Sequence, residues 1–343
     1  MQAERKRWWG APQWRTALII TTLAWSGMSE RSAAQSVDAT LGGGSPHGMF
    51  SVVGEAVTEA VRREYPGSSF AYESGNNAGS LLRMLRGDIA FSMAAPGEVE
   101  AALNGEKPFP AKFEKPSFGM VARLLDGLVG YIAVSAEFVE ENDLESLADV
   151  RRKRLPVRLS TNQLGNLSTV RFGRELLAAH DIDEALINQW GGKDYHLPNS
   201  ASFDLLRDGR LDLIITFGLH PEARVLMAAT KRPIRFLPID PAVARRTAER
   251  LNTDVGVIPA GTYEFLETDY TAPAFGGGIA AGAAVDSELV YRVTRAIHRQ
   301  IEFIRSVHPA LQSLSEQILP AHEPYLLHPG AARYYREVGL LSD

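Results

Sequence analysis

Ser45 and His47 stand two residues apart in a glycine-rich turn that reads Gly42-Gly43-Gly44-Ser45-Pro46-His47-Gly48. A serine hydroxyl beside an imidazole is raw material for acyl transfer, because the histidine can take the proton as the oxygen attacks. The spacing does not deliver that chemistry. A nucleophile elbow needs glycine two residues before and two after the serine; Gly43 precedes Ser45, but His47 follows it. As a phosphate loop the turn also fails, since Met49 and Phe50 stand where lysine and a hydroxyl residue are required. Nor does a third glycine follow Gly44 at the dinucleotide spacing. What remains is a turn of neutral hydrogen-bond donors. A hydrolase using Ser45 and His47 is the rival reading, and an enzyme is not expected.

Two more stretches share this composition, SGNNAGS at 74–80 and TNQLGNLST at 161–169. Each of the three follows a β-like run and opens a helical period. A helix N-terminus presents unpaired N–H groups and the positive end of the helix dipole, which suits an anion. Ser45, His47, Ser74, Asn76, Asn77, Asn166, Ser168 and Thr169 are therefore candidate ligand-binding residues. Arg123 and Arg171 are candidates for a direct ion pair, with a role at a hinge or on a helix face as the alternative. The eight histidines show no HExxH pair and no compact carboxylate cluster, so neither a metal nor a cofactor is expected.

The elements that must position these loops alternate. Val37–Leu41, 68–74 and 88–93 read as strands, with helical periods after the first two. That order argues for an α/β layer with a mainly parallel sheet. The proline-rich segment 104–117 reads as a connection, and 124–137 is strongly β-like. Strands at 155–161, 211–217 and 234–240 form a second unit, with helices between them. Residues 276–282 read only as a glycine-rich run. A helix opens near Asp286 with Leu289, Val293, Ala296, Ile297, Ile301 and Ile304 as a core-facing stripe. Two α/β lobes with a hinge and a ligand cleft between them follow from this order.

The chain has 343 residues and no cysteine, which removes disulfides, thiolate metal sites and cysteine nucleophiles. The net charge is -5 with scattered Lys and Arg, so nucleic acid is not expected as a partner. Arg5, Lys6, Arg7 and Arg15 precede the apolar stretch ALIITTLAW, and Ser32-Ala33-Ala34 follows. This is the pattern of a secretory signal, with residues 1–34 removed on export to a bacterial periplasm.

The motifs together resemble the TAXI family of solute receptors, the periplasmic components of TRAP transporters. The resemblance runs from about residue 37 to 341. It is carried by Gly44-Ser45-Pro46-His47-Gly48-Met49-Phe50, by Ser74-Gly75-Asn76-Asn77 and by Ser168-Thr169. It continues in Asp208-Gly209-Arg210-Leu211-Asp212, Gly218-Leu219-His220-Pro221, Ile258-Pro259-Ala260-Gly261-Thr262-Tyr263 and the terminal Leu327–Tyr335. It implies a type II periplasmic-binding-protein fold, with lobe one at 35–126 and 271–343 and lobe two at 127–270. It also implies a small organic anion as ligand, a TRAP-type permease as partner and a monomer. His220 and Phe50 join the candidate ligand-binding residues through it.

Departures from the family pattern bear on the solute. Phe50 and Ser51 stand where tyrosines are usual, Ala94-Ala95-Pro96 replaces Gln-Ser-Asp, and Leu167 stands in the third loop in place of a small residue. These changes remove acceptors that the amino group of glutamate would need. A carboxylate without an α-amino group is the expectation. The alternatives are a glutamate or glutamine receptor and a ligand-sensing subunit of a membrane signalling protein.

Overall fold

The structure is a computed structural model that describes residues 36–46, 48–114, 117–320 and 327–342. The expected signal segment and His47 lie outside the described residues.

The strands, in chain order, are β1 (Ala39–Gly42), β2 (Phe70–Glu73), β3 (Phe91–Ala94), β4 (Phe118–Ser135), β5 (Arg158–Ser160), β6 (Lys193–Asp194), β7 (Leu213–Gly218), β8 (Ile234–Phe236), β9 (Asp254–Ile258) and β10 (Tyr270–Gly282). They join in one sheet with the order β2-β1-β3-β10-β4-β7-β5-β6, while β8 pairs with β4 and β9 with β10. In the first lobe β1 is parallel to β2 and β3, and β10 enters antiparallel between β3 and β4. The second lobe repeats the plan. There β5 is parallel to β6 and β7, and β4 closes that set antiparallel to β7. This is the two-lobed α/β arrangement of a type II periplasmic binding protein.

Both lobes share β4 and β10. Residues 118–125 of β4 pair with 277–282 of β10 in the first lobe. Residues 129–134 of β4 pair with β7 in the second, and residues 270–274 of β10 pair with β9. Register shifts between Phe275 and Gly277 and between Gly277 and Gly278 mark the crossing. Such bulges bend a strand and raise its local twist. The close approach also explains the glycines: a Cβ on Gly278 would lie 2.1 Å from the Ala122 carbonyl oxygen.

Helix Met49–Glu64 buries Val53, Val57, Ala60 and Val61, spaced along one face. Helix Ser287–Arg299 packs on it, with Asp286 capping its first turn by accepting from Glu288 N at 2.8 Å. Tyr335 Oη from the last helix donates to the Val121 carbonyl at 2.9 Å, which ties the end of the chain to β4 in the first lobe. In the second lobe Phe172 sits against Gly130 of β4, so closely that a Cβ there would lie 2.5 Å from its ring.

Candidate functional site

Where the lobes face each other lies a cavity of about 140 Å³. The first lobe lines it with Gly44, Ser45, Phe50 and Asn77, and His308 borders it from the C-terminal segment. The second lobe supplies Asn162, Asn166, Thr169, Phe217, Glu222 and Arg224 among others. Helices Met49–Glu64, Leu167–Ala178 and Ala223–Lys231 all begin at this cavity, and none has a side-chain hydrogen bond capping its first turn. Three positive dipole ends therefore converge on one space.

The candidate residues divide. Ser45, Phe50, Asn77, Asn166 and Thr169 reach the cavity. Asn76 caps helix Asn77–Leu85, its Oδ1 accepting from Gly79 N at 2.8 Å, and Ser74 is exposed outside the cavity. Ser168 faces the other lobe. Its N–H and Oγ–H donate to Glu98 at 3.2 and 2.6 Å, and its Oγ accepts from Gly97 N at 3.0 Å. Burial pushes the Glu98 carboxyl above its ordinary value, while the bonds from Ser168 act in the opposite direction. Ala78 N also crosses between the lobes, donating to Gly165 O at 3.0 Å.

The two arginines singled out by sequence lie away from the cavity. Arg123 pairs with Asp126 at 2.5 Å on β4. Arg171, on helix Leu167–Ala178, reaches across to Glu100 at 3.0 Å and to Glu106, so it links the lobes. The cationic side chain that does line the cavity is Arg224. Its Nε and Nη2 both bond Glu222 Oε1, at 2.7 and 2.6 Å. Burial lowers the arginine's pKa, and the Glu222 carboxylate more than offsets that, leaving it raised and the guanidinium charged.

His220 holds the loop that carries this pair. Glu222 N donates to Tyr263 Oη at 2.7 Å, which leaves the tyrosine proton for His220 Nδ1 at 2.6 Å. His220 Nε2 then donates to the Val129 carbonyl at 3.3 Å. This assignment requires a neutral imidazole, and burial lowers the His220 pKa in agreement with it. Tyr131 Oη donates to Glu222 Oε2 at 2.6 Å and completes the network. The sequence offered a signal for Glu222 and Arg224. They follow Gly218-Leu219-His220-Pro221 directly, at the carboxyl end of a strand, where α/β sheets bind ligands.

A second network joins the asparagines. Asn166 Nδ2 donates to Asn162 Oδ1 at 3.1 Å, Asn162 Nδ2 to Asn199 Oδ1 at 2.9 Å, and Asn199 Nδ2 to Thr216 Oγ1 at 3.0 Å. Asn162 adopts a left-handed backbone, φ 79°, and its Oδ1 accepts from the next amide at 2.8 Å, which secures a conformation that is costly for most side chains. Among the described residues no group of three or more His, Asp or Glu is placed to hold a metal ion.

Fold and cleft together are those of a two-lobed α/β protein with a cavity between its lobes. Residues 41–339 match the NMT1-like family, and the chain belongs to it. The fold is similar to that of MatC from Rhodopseudomonas palustris, solved with bound malate: TM-score 0.55, 15% identity, covering 83% of this chain and 93% of that one. It is also similar to PhnD1 from Prochlorococcus marinus in complex with methylphosphonate, with TM-score 0.51 and 9% identity over 89% of this chain and 99% of that one. A structure described as a periplasmic transporter matches with TM-score 0.51 and 14% identity, over 88% and 92% of the two chains.

Proposed function

We propose that this chain is a periplasmic receptor of the TAXI type that captures a small organic anion and presents it to a TRAP-type permease. The observation that carries the reading is the cavity between the lobes, on which three uncapped helix N-termini and the Arg224 guanidinium converge. That set stabilises negative charge in the bound molecule. Lobe one is taken as residues 35–126 and 271–343 and lobe two as 127–270, so the dividing points fall within β4 and at the start of β10.

Binding closes the lobes, because a solute touching both favours the closed form over the open one. The test is a thermal-shift screen of the purified protein against carboxylates, amino acids and sulfonates, followed by uptake of the best solute in a deletion strain. A solute at a hundredfold over its dissociation constant stabilises by about 2.7 kcal/mol. Absence of any shift, with no loss of uptake on deletion, would overturn the receptor reading. Thr169→Val removes one hydroxyl from the cavity wall and should cost about 0.5–1.5 kcal/mol of binding. Unchanged affinity excludes that hydroxyl from the ligand's contacts.

A further inference from the structure

The cavity between the lobes shares a wall with a second space. Gly218 of β7 pairs with Val129 of β4, and the next step of that antiparallel register brings Leu219 to Leu128. Both leucines line the cavity between the lobes. Leu219 also lines a second cavity of about 290 Å³, bounded by Leu124 and Leu125 of β4 and by Leu311, Leu314 and Ile318 of the C-terminal segment. That segment passes from one space to the other, since His308 borders the first and Ala310 the second. Strand β4 does the same, with Leu128 in the first and residues 124–127 in the second.

The two spaces differ in chemistry. Glu222, Arg224 and three helix N-termini face the first. Among the described residues lining the second, the polar side chains are Ser313 and Asp126, both exposed, and Asp126 is paired with Arg123 at 2.5 Å. Size separates them too. At the bulk share of about 30 Å³ per water, the first cavity of about 140 Å³ holds about five waters, which is room for about five non-hydrogen atoms. Propanoate fills it. The second is about twice as large. Leu219 in the shared wall is half-buried, and a leucine side chain turns between staggered rotamers, so this part of the partition can swing aside.

We propose that the apolar space is an annex of the solute site, that Leu219 is the gate between the two, and that the solute is an organic anion with an unbranched apolar tail. The charged end stays among the helix N-termini of the first cavity. The tail passes Leu219 and lies against Leu124, Leu311 and Leu314. Leu219 is then a specificity-determining residue, because its position decides whether a solute longer than the first cavity is admitted. Each methylene buried in the annex strengthens binding about fourfold. This inference rests on the receptor reading above and adds the tail to its solute.

The test is calorimetric titration of the purified protein with straight-chain acids from propanoate to octanoate. Affinity should rise with length, by about fifteenfold from hexanoate to octanoate. Ser313 is exposed at the rim of the annex, so Ser313→Trp fills that space from outside the core, and the gain from hexanoate to octanoate should vanish. Leu219→Trp should remove the gain as well by blocking the passage, whereas Leu219→Ala should keep it. Unfolding temperatures establish that each variant is folded. An affinity that levels off or falls beyond butanoate, or a gain that survives both substitutions by tryptophan, overturns the inference and leaves the receptor reading standing. Failure of every acid in the series to bind overturns the inference together with the proposed solute class.

Discussion

Replacing Glu98 by alanine tests whether contact between the lobes is part of the binding equilibrium. Glu98 is fully buried on helix Pro96–Asn104 and accepts the Ser168 N–H and Oγ–H from the opposite lobe, at 3.2 and 2.6 Å. Alanine leaves the Ser168 amide, in the first turn of helix Leu167–Ala178, without that acceptor while the lobes are together. A buried donor left unsatisfied costs about 1–3 kcal/mol. In an opened cleft water takes the same N–H, so the penalty falls on the closed form alone. The closing equilibrium then shifts by about 5–150-fold. Apparent affinity for a solute that binds the closed form drops by the same factor, although Glu98 is not among the residues lining the cavity. Glu98→Gln keeps an acceptor for the amide and should stay near wild type. Titration with the tightest acid measures the effect, and hydrogen exchange at the Ser168 amide measures it without solute. Unchanged affinity together with unchanged protection in Glu98→Ala refutes the reasoning.

The remaining predictions concern pH, the loop network and the core. Burial raises the Glu98 carboxyl above its ordinary 4.5, so its contribution is fully present below that value and is lost as pH rises through the raised one. Glutamine has no proton to lose, and the unfolding temperature of Glu98→Gln should gain on wild type as pH climbs above 4.5; a difference that does not vary with pH contradicts this. Tyr263→Phe removes the partner of both the Glu222 amide and His220 Nδ1, and should cost about 1–3 kcal/mol in denaturant unfolding. A loss under a few tenths would show that water replaces the hydroxyl there. Gly130→Ala drives a methyl to 2.5 Å from the Phe172 ring, and overpacking of this kind costs about 1–3 kcal/mol, read as a lower unfolding midpoint. A midpoint equal to wild type would mean that the ring has room to move.

Where side-chain pattern carried the information, the sequence showed the fold. The stripe Val53, Val57, Ala60 and Val61 marks a helix, and Leu213–Gly218 is a strand close to where its β-branched run ends. Strand β10 was hidden. Its centre is Gly276-Gly277-Gly278, which has no alternation to read, because these positions are selected by the closeness of β4 and of Phe50 and not by packing of their own side chains. Helix Ala136–Asn142 was missed for a related reason, since its first residues continue an apolar β-like run and only the Ser135 cap ends the strand. The loops at Ser45, Asn77, Asn166 and Thr169 were legible from composition, and the cavity gathers them. Composition could not reveal that Ser168 and Arg171 face carboxylates of the opposite lobe, because Glu98, Glu100 and Glu106 are distant in sequence. The neutral loops carry no trace of Arg224, whose charge lies on a separate loop that Tyr263 holds through His220 and the Glu222 amide.

The insertion of β10 between β3 and β4 has a consequence for the growing chain. Until residues 270–282 have been made, β3 has no neighbour on one side and the first lobe has an open slot in the middle of its sheet. Its pairing joins segments far apart in sequence, a topology that folds slowly and only after most of the chain is available. A ribosome-bound fragment ending before Tyr270 therefore leaves the facing edges of β3 and β4 open and β9 without its partner, the kind of surface that recruits other strands. Strand β10 closes the half-sheet of the first lobe and gives β9 its partner in the second, whereas β4, β7, β5 and β6 pair without it, so the sheet of the second lobe can form ahead of that of the first.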